Sequence, residues 1–169
     1  MLVLQEININ KYNIIMLDIE DFKKKLDKKS RLMGIDPGKK RVGIAISDEN
    51  KIVATPYTTL IKIDYTKFLS ELRLIIKENN IKGIIIGNPI NMNGSAGPSS
   101  QSAKDLARNL SKDITENITM WDERLSSQGA FNLTNNLEVN TSKIVKKLDE
   151  NAAQFILQGA LDYLTKENT

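Results

Sequence analysis

The sequence predicts an α/β domain built on a mixed sheet, and three observations carry that expectation. The stretch "RLMGIDPGKKRVGIAISD" sets two short apolar segments around a Pro-Gly turn, as a hairpin requires. Beyond it, helical and extended hydrophobic periods alternate along the chain. The segment "IKGIIIGNP" is a continuous apolar run stopped by Gly and Pro, which suits a strand buried on both faces.

Taken in order, residues 1–30 read as an N-terminal extension, partly helical or flexible, and residues 31–169 as the domain. "MLVLQEININKYNIIMLDI" keeps no sustained period, and "EDFKKKLDKKS" reads as a short, basic, solvated helix. "RLMGID" is then a strand, and "RVGIAISD" alternates Val42, Ile44 and Ile46 against Gly43, Ala45 and Ser47. "KIVATPYTTL" reads as a third, irregular strand. Leu69, Leu72, Ile75 and Ile76 share one face of a helix over "DYTKFLSELRLIIKENN". The polar, glycine-bearing "NPINMNGSAGPSS" reads as a mobile ligand-contacting loop. A helix over "SQSAKDLARNLSKDI" and a strand over "NITMWDE" follow. "SSQGAFNLTNNL" reads as a short helix capped by Ser126 or Ser127, and "EVNTSKIVKK" as a polar-to-basic loop. The closing segment carries a clean apolar stripe (Ala152, Ala153, Ile156, Leu157, Ala160, Leu161, Leu164), with Asp149 in the N-cap position. The single Trp121 falls inside a strand and reads as core.

Composition narrows the chemistry. The 169 residues are 40% hydrophobic and 27% charged, the profile of one soluble globular domain. No apolar run reaches the roughly 18 residues of a membrane span, and no export signal is visible, so a cytoplasmic, non-membrane protein is expected. With neither cysteine nor histidine, thiol nucleophiles, cysteine-zinc sites and histidine acid–base catalysis are excluded. Carboxylates, Lys/Arg, hydroxyls and a bound metal remain. The net charge of +3 says little about partners, because residues 32–169 alone balance nearly evenly.

The acids of interest stand at the ends of elements: Asp36 after the first strand, Asp122 and Glu123 after the last, Asp149 and Glu150 at the final helix. If the fold gathers them, three or four oxygen ligands suit two hard divalent cations. Each also has a plain structural use. Asp36 can form a turn, Asp122 can pair with Arg124, Asp149 can cap a helix, and Asp48 can open the "DENK" turn.

Four blocks, "GIDPGKKRVGIAISD", "IIIGNPINMNGSAGPSSQSA", "WDERLSSQGA" and "KLDENAAQFILQGALDYL", resemble in order and spacing the signature blocks of the YqgF family, Holliday-junction-resolvase-like proteins also described as pre-16S rRNA nucleases. The resemblance runs from about Arg31 to Leu164. It implies a ribonuclease H-like fold, a five-stranded mixed sheet flanked by helices, and a cytoplasmic nuclease using Mg2+ or Mn2+ in maturation of the 5′ end of the small-subunit rRNA. The family's acidic positions fall on Asp36, Glu123 and Asp149, and its basic positions on Arg41 and Arg124. Two departures, Asn88 where Leu is usual and "ERLSS" for "ERLTT", touch no carboxylate.

On this reading Asp36, Glu123 and Asp149 are both catalytic and metal-holding, with Asp122 and Glu150 as alternates. Lys39, Lys40, Arg41, Asn91, Asn93, Arg124, Lys143, Lys146 and Lys147 are the substrate-binding candidates, with Met92 near the mouth. Gly38 and Gly43 would leave room for a phosphate. The expected partner is structured RNA or branched DNA, and the expected state a monomer or weak homodimer. Three rivals stand beside this reading. They are a Holliday-junction resolvase acting on four-way DNA, a non-catalytic nucleic-acid-binding module, and a nucleotide-binding lobe of the actin and sugar-kinase kind. The last needs a second D-x-G hairpin, which the sequence lacks.

Overall fold

The structure is a computed structural model that describes residues 16–125 and 141–166, the side chains of 141–148 excepted. In chain order the elements are β1 (Met16–Leu17), α1 (Ile19–Lys24), β2 (Arg31–Pro37), β3 (Arg41–Ser47), β4 (Ala54–Ile61), α2 (Tyr65–Glu78), β5 (Ile81–Asn88), α3 (Pro98–Asp113), β6 (Asn117–Asp122), a 3-10 turn (Glu123–Leu125) and α4 (Thr141–Thr165). They build one mixed sheet in the order β1-β6-β5-β2-β3-β4. β2, β3 and β4 form an antiparallel meander, while β5, β6 and β1 run parallel to β2. The β2–β6 part is the ribonuclease H-like arrangement.

Side-chain alternation along the strands makes two cores. Met33 and Ile35 of β2, Ile44 and Ile46 of β3 and Ile84 and Ile86 of β5 pack beneath Phe68, Leu72 and Ile76 of α2 and Leu106 and Leu110 of α3. The intervening residues Leu32, Ala45 and Ile85 face the other way, against Ala153, Leu157, Ala160 and Leu161 of α4. β5 is buried on both faces, which explains its unbroken isoleucine run. β4 carries the expected irregularity as a register shift opposite Ile44/Ala45. Asp64 caps α2 by accepting from the backbone N–H of Thr66 and Lys67, and Pro98 opens α3. Trp121 is buried, edge-on to Tyr163.

Three expectations are corrected. The sheet has six strands rather than five, because Met16 and Leu17 pair with Ile118 and Thr119 at the edge. Two residues are too short to show a period. The basic segment after them is not merely solvated: Phe22 of α1 is fully buried against Leu32 and Gly83. Finally, α4 begins at Thr141, so Asp149 lies inside the helix rather than capping it, and Lys143–Lys147 have helical rather than loop backbone. Nothing in "TSKIVKKLDE" breaks a helix, and Ile144, Val145 and Leu148 continue the later stripe at i, i+3 and i+4. The short helix expected over 126–137 lies outside the described residues.

Candidate active site

The site begins with where a strand end places a carboxylate. In the β2–β3 hairpin Asp36 pairs with Gly43, so both face α4. Ile35 pairs with Ile86, which sets Asp36 level with Gly87 of β5, and Gly87 in turn pairs with Trp121 of β6. Glu123 follows two residues past Trp121, at the start of the 3-10 turn. Its carboxylate lies over Gly87, where a Cβ would come 2.6 Å from Oε1. Asp36 and Glu123 thus stand at the carboxyl ends of β2 and β6, the parallel strands on either side of β5, in the region where open α/β sheets bind ligands.

Asp149 joins them because α4 is held unusually close to the sheet. A Cβ on Gly43 would collide with the Asp149 carbonyl oxygen, and one on Gly34 would lie 2.6 Å from Leu157 Cβ and 2.9 Å from the Ala153 carbonyl. Small residues at those points let the backbones approach. Two glutamines fix the helix along its axis: Gln154 Nε2 donates to the Ala54 carbonyl at 3.0 Å and Gln158 Nε2 to that of Ile52 at 2.9 Å. Gln158 Oε1 accepts from the Ala54 N–H at 2.9 Å.

The electrostatics follow from this crowding. Burial, and then the nearby Asp149 charge, push the Asp36 carboxyl up to about 6. Burial, followed by the charges of Asp36 and Asp122, pushes Glu123 up to about 7. Asp149 meets a cation: Arg41 Nη2 lies 2.6 Å from its Oδ2. That oxygen is buried and accepts no aligned hydrogen bond, so the interaction is a charge pairing. Asp122 is gripped by Arg124, whose Nε lies 3.0 and 3.1 Å from the two carboxylate oxygens and whose Nη2 lies 2.7 Å from Oδ2. The guanidinium holds Asp122 below the ordinary carboxylate range.

The remaining candidates divide. Lys39 and Lys40 stand exposed at the hairpin tip. Arg124 is engaged by Asp122, its structural use. Asn91 and Asn93 serve their own turn: Asn91 Nδ2 donates to Ser95 Oγ at 3.0 Å, and Asn93 Oδ1 accepts from the Ser95 hydroxyl at 2.6 Å and its N–H at 3.0 Å. An Ile90–Ala96 bridge closes this part of the polar loop into a tight turn. Met92 is exposed at its tip, and Gly94 lies beside Arg124, so the turn borders the acidic site. The side chains of Lys143, Lys146 and Lys147 lie outside the described residues. Glu150 is half-buried next to Asp149, and Asp48 forms its turn, accepting from the backbone of Asn50, Ile52 and Val53. The glycines make no room for a phosphate: Gly43 admits α4, and Gly38 lies against the Arg41 carbonyl.

Two features of the site and of the hairpin beside it carry little or no signal in the sequence. Gly87 shelters the Glu123 carboxylate, and its only mark is a lone glycine ending an isoleucine run. Lys62 is half-buried, its backbone N–H donating to the Lys40 carbonyl at 2.8 Å, and burial lowers its ammonium below the usual lysine value. No motif surrounds it.

As the side chains stand, no three carboxylates among the described residues share one ligating centre. The donor set still fits a hard divalent cation. It offers oxygen alone, two crowded carboxyls raised toward neutrality, and a buried Asp149 oxygen accepting no hydrogen bond.

Fold and site define a class: a ribonuclease H-like domain with an acidic centre at the carboxyl ends of its parallel strands. A family profile described as "RuvX: Holliday junction resolvase" matches residues 30–163, and the chain belongs to that family. It is 54% identical over 149 residues to a Pelagibacter ubique protein named "Putative pre-16S rRNA nuclease", covering 88% of this chain and 99% of the relative. A Rhodobacter capsulatus protein of the same name is 39% identical, with 86% of this chain and 92% of the relative covered. Among solved structures, T. thermophilus RuvC in complex with a Holliday junction substrate is similar at TM-score 0.47 and 9% identity, over 79% of this chain and 94% of that one. No helix among the described residues is long and apolar enough to cross a membrane.

Proposed function

We propose that this protein is a divalent-metal-dependent nuclease that hydrolyses a phosphodiester during maturation of the 5′ end of the small-subunit rRNA precursor, in the cytoplasm. The single observation that carries the reading is that Asp36, Glu123 and Asp149, from β2, the end of β6 and α4, lie half-buried and near enough for the Asp149 charge to act on Asp36 and the Asp36 charge on Glu123. Membership of a nuclease family and relatives named for pre-16S rRNA support the reaction and the substrate class.

Asp36, Glu123 and Asp149 would hold Mg2+ or Mn2+. Bound there, such cations polarise a phosphodiester and make a water acidic enough to attack it at neutral pH. The protein's own part is positioning. A strand end holds Asp36 more rigidly than a loop would, and Gly87 lets Glu123 lie close against β5. Asp122, kept charged by Arg124, adds to the field that favours a cation at Glu123. Lys39, Lys40, Arg41 and Lys62 at the hairpin end, with Lys143, Lys146 and Lys147 on the first turns of α4, would track the nucleic-acid backbone.

The test is cleavage of a 5′-extended small-subunit rRNA precursor and of a four-way DNA junction, side by side, with Mg2+ or Mn2+, by the parent and by Asp36→Asn. Metal-dependent cleavage of the rRNA precursor, abolished in the variant, supports the proposal. Faster cutting of the junction would favour the resolvase reading, and a variant as active as the parent would remove Asp36 from the site.

A further inference from the structure

The three site acids are not treated alike. The Asp36 charge acts on Glu123, and no cation among the described residues bonds to either. Asp149 has one, the Arg41 guanidinium at 2.6 Å. Arg41 precedes Gly43 by two residues on β3, so it projects on the same face and reaches Asp149 at the point where α4 is pressed against that strand. Both side chains of the pair are largely shielded, with 34% and 26% of their surfaces exposed. A partly desolvated pair of this kind is costly to break unless each charge finds a replacement partner.

We infer that Arg41 is a positioning residue that acts as a built-in counter-ion: it holds Asp149 out of the ligand set until a nucleic-acid phosphate takes the guanidinium, so that cation binding at Asp149 and substrate binding are coupled. The inference rests on the acidic cluster being a metal site. The chemistry is an exchange of partners. Asp149 trades a guanidinium for a hard cation, and Arg41 trades a carboxylate for a phosphate, for which its planar fork is equally suited. Asp36 and Glu123, with no such partner among the described residues, accept a first cation without substrate. Any cation that needs Asp149 must displace Arg41, and linkage then requires that substrate and that cation favour each other. The resting protein is thereby kept from assembling the full centre in the absence of a phosphodiester.

The experiment is calorimetric titration of the metal-free full-length protein with Mn2+ alone, for the parent, Arg41→Gln, Arg41→Lys and the double variant Arg41→Gln/Asp149→Asn, with circular dichroism to verify folding. Arg41→Gln should bind Mn2+ about tenfold tighter, or take up an additional ion, within the roughly 5–150-fold span usual for coupled sites. The added Asp149→Asn change should cancel that gain, and Arg41→Lys, which keeps the charge, should remain near the parent. Equal Mn2+ binding by the parent and Arg41→Gln overturns the inference while leaving the metal site standing. A gain in Arg41→Lys as large as in Arg41→Gln also overturns it, because charge would then not be the cause. A parent that binds no Mn2+ removes the metal-site reading itself.

Discussion

Replacing Asp36 by Asn should stabilise the metal-free protein while abolishing its nuclease activity. Burial and the Asp149 charge raise the Asp36 carboxyl from 3.8 to about 6. In the unfolded chain the same group titrates near its ordinary value. Between roughly pH 4 and 6 the folded state therefore binds more protons than the unfolded one, and stability falls as pH rises through that window. Above about 6 the cost of the buried charge is fully present. A shift of about two units corresponds to ~3 kcal/mol, and halving it for solvent screening and coupling to Glu123 leaves ~1.5 kcal/mol. For a chain of this size that is about 3–6 °C in Tm. Melting followed by circular dichroism in EDTA at pH 7.5 should place Asp36→Asn that far above the parent, with the gap closing toward pH 4. Excess Mg2+ should raise the parent's Tm and leave the variant's nearly unchanged. A variant that melts at or below the parent at pH 7.5, or a gap that does not change with pH, would refute the account of Asp36 as a strained, cation-seeking acid.

Other consequences follow from the same geometry. Gly43→Ala puts a methyl group into the α4 backbone at Asp149; urea unfolding should show a loss of about 1–3 kcal/mol, and cleavage should fall because Asp149 is displaced. Phe22→Ala should cost about 3–5 kcal/mol in the same assay, since Phe22 is fully buried and anchors the N-terminal segment to the sheet. Neutralising Lys143, Lys146 and Lys147 to Gln should weaken RNA binding and flatten its salt dependence by up to about one unit of slope for each phosphate no longer engaged, read by fluorescence anisotropy at several ionic strengths. Removing divalent ions with EDTA should stop cleavage, and restoring Mg2+ at about 100 times its Kd should raise stability by ~2.7 kcal/mol in a thermal melt.

Much of this protein is set by local pattern. The alternation of Val42, Ile44 and Ile46, the isoleucine run of β5 and the helical face of Leu69, Leu72, Ile75 and Ile76 identify their elements because side-chain period and burial are properties of neighbours in sequence. The absence of histidine and cysteine restricts the chemistry to carboxylates and cations before any folding is considered. The positions of Asp36 and Glu123 at the ends of strands are likewise visible. Where local signals are weak, the pattern misleads: a two-residue edge strand has no period, and an aspartate inside a long helix looks like a cap when the helix start is polar.

The chain alone thus determined which elements form and which side chains can do chemistry, because those follow from short-range periodicity and from composition. Only the tertiary structure decided that Gly34, Gly43 and Gly87 draw α4 and the Glu123 turn onto the sheet, that Arg41 rather than solvent meets Asp149, and that Arg124 is claimed by Asp122. The reason is physical: whether a carboxylate is paired, crowded or free depends on packing between residues as far apart in sequence as Arg41 and Asp149, and no local pattern records that distance.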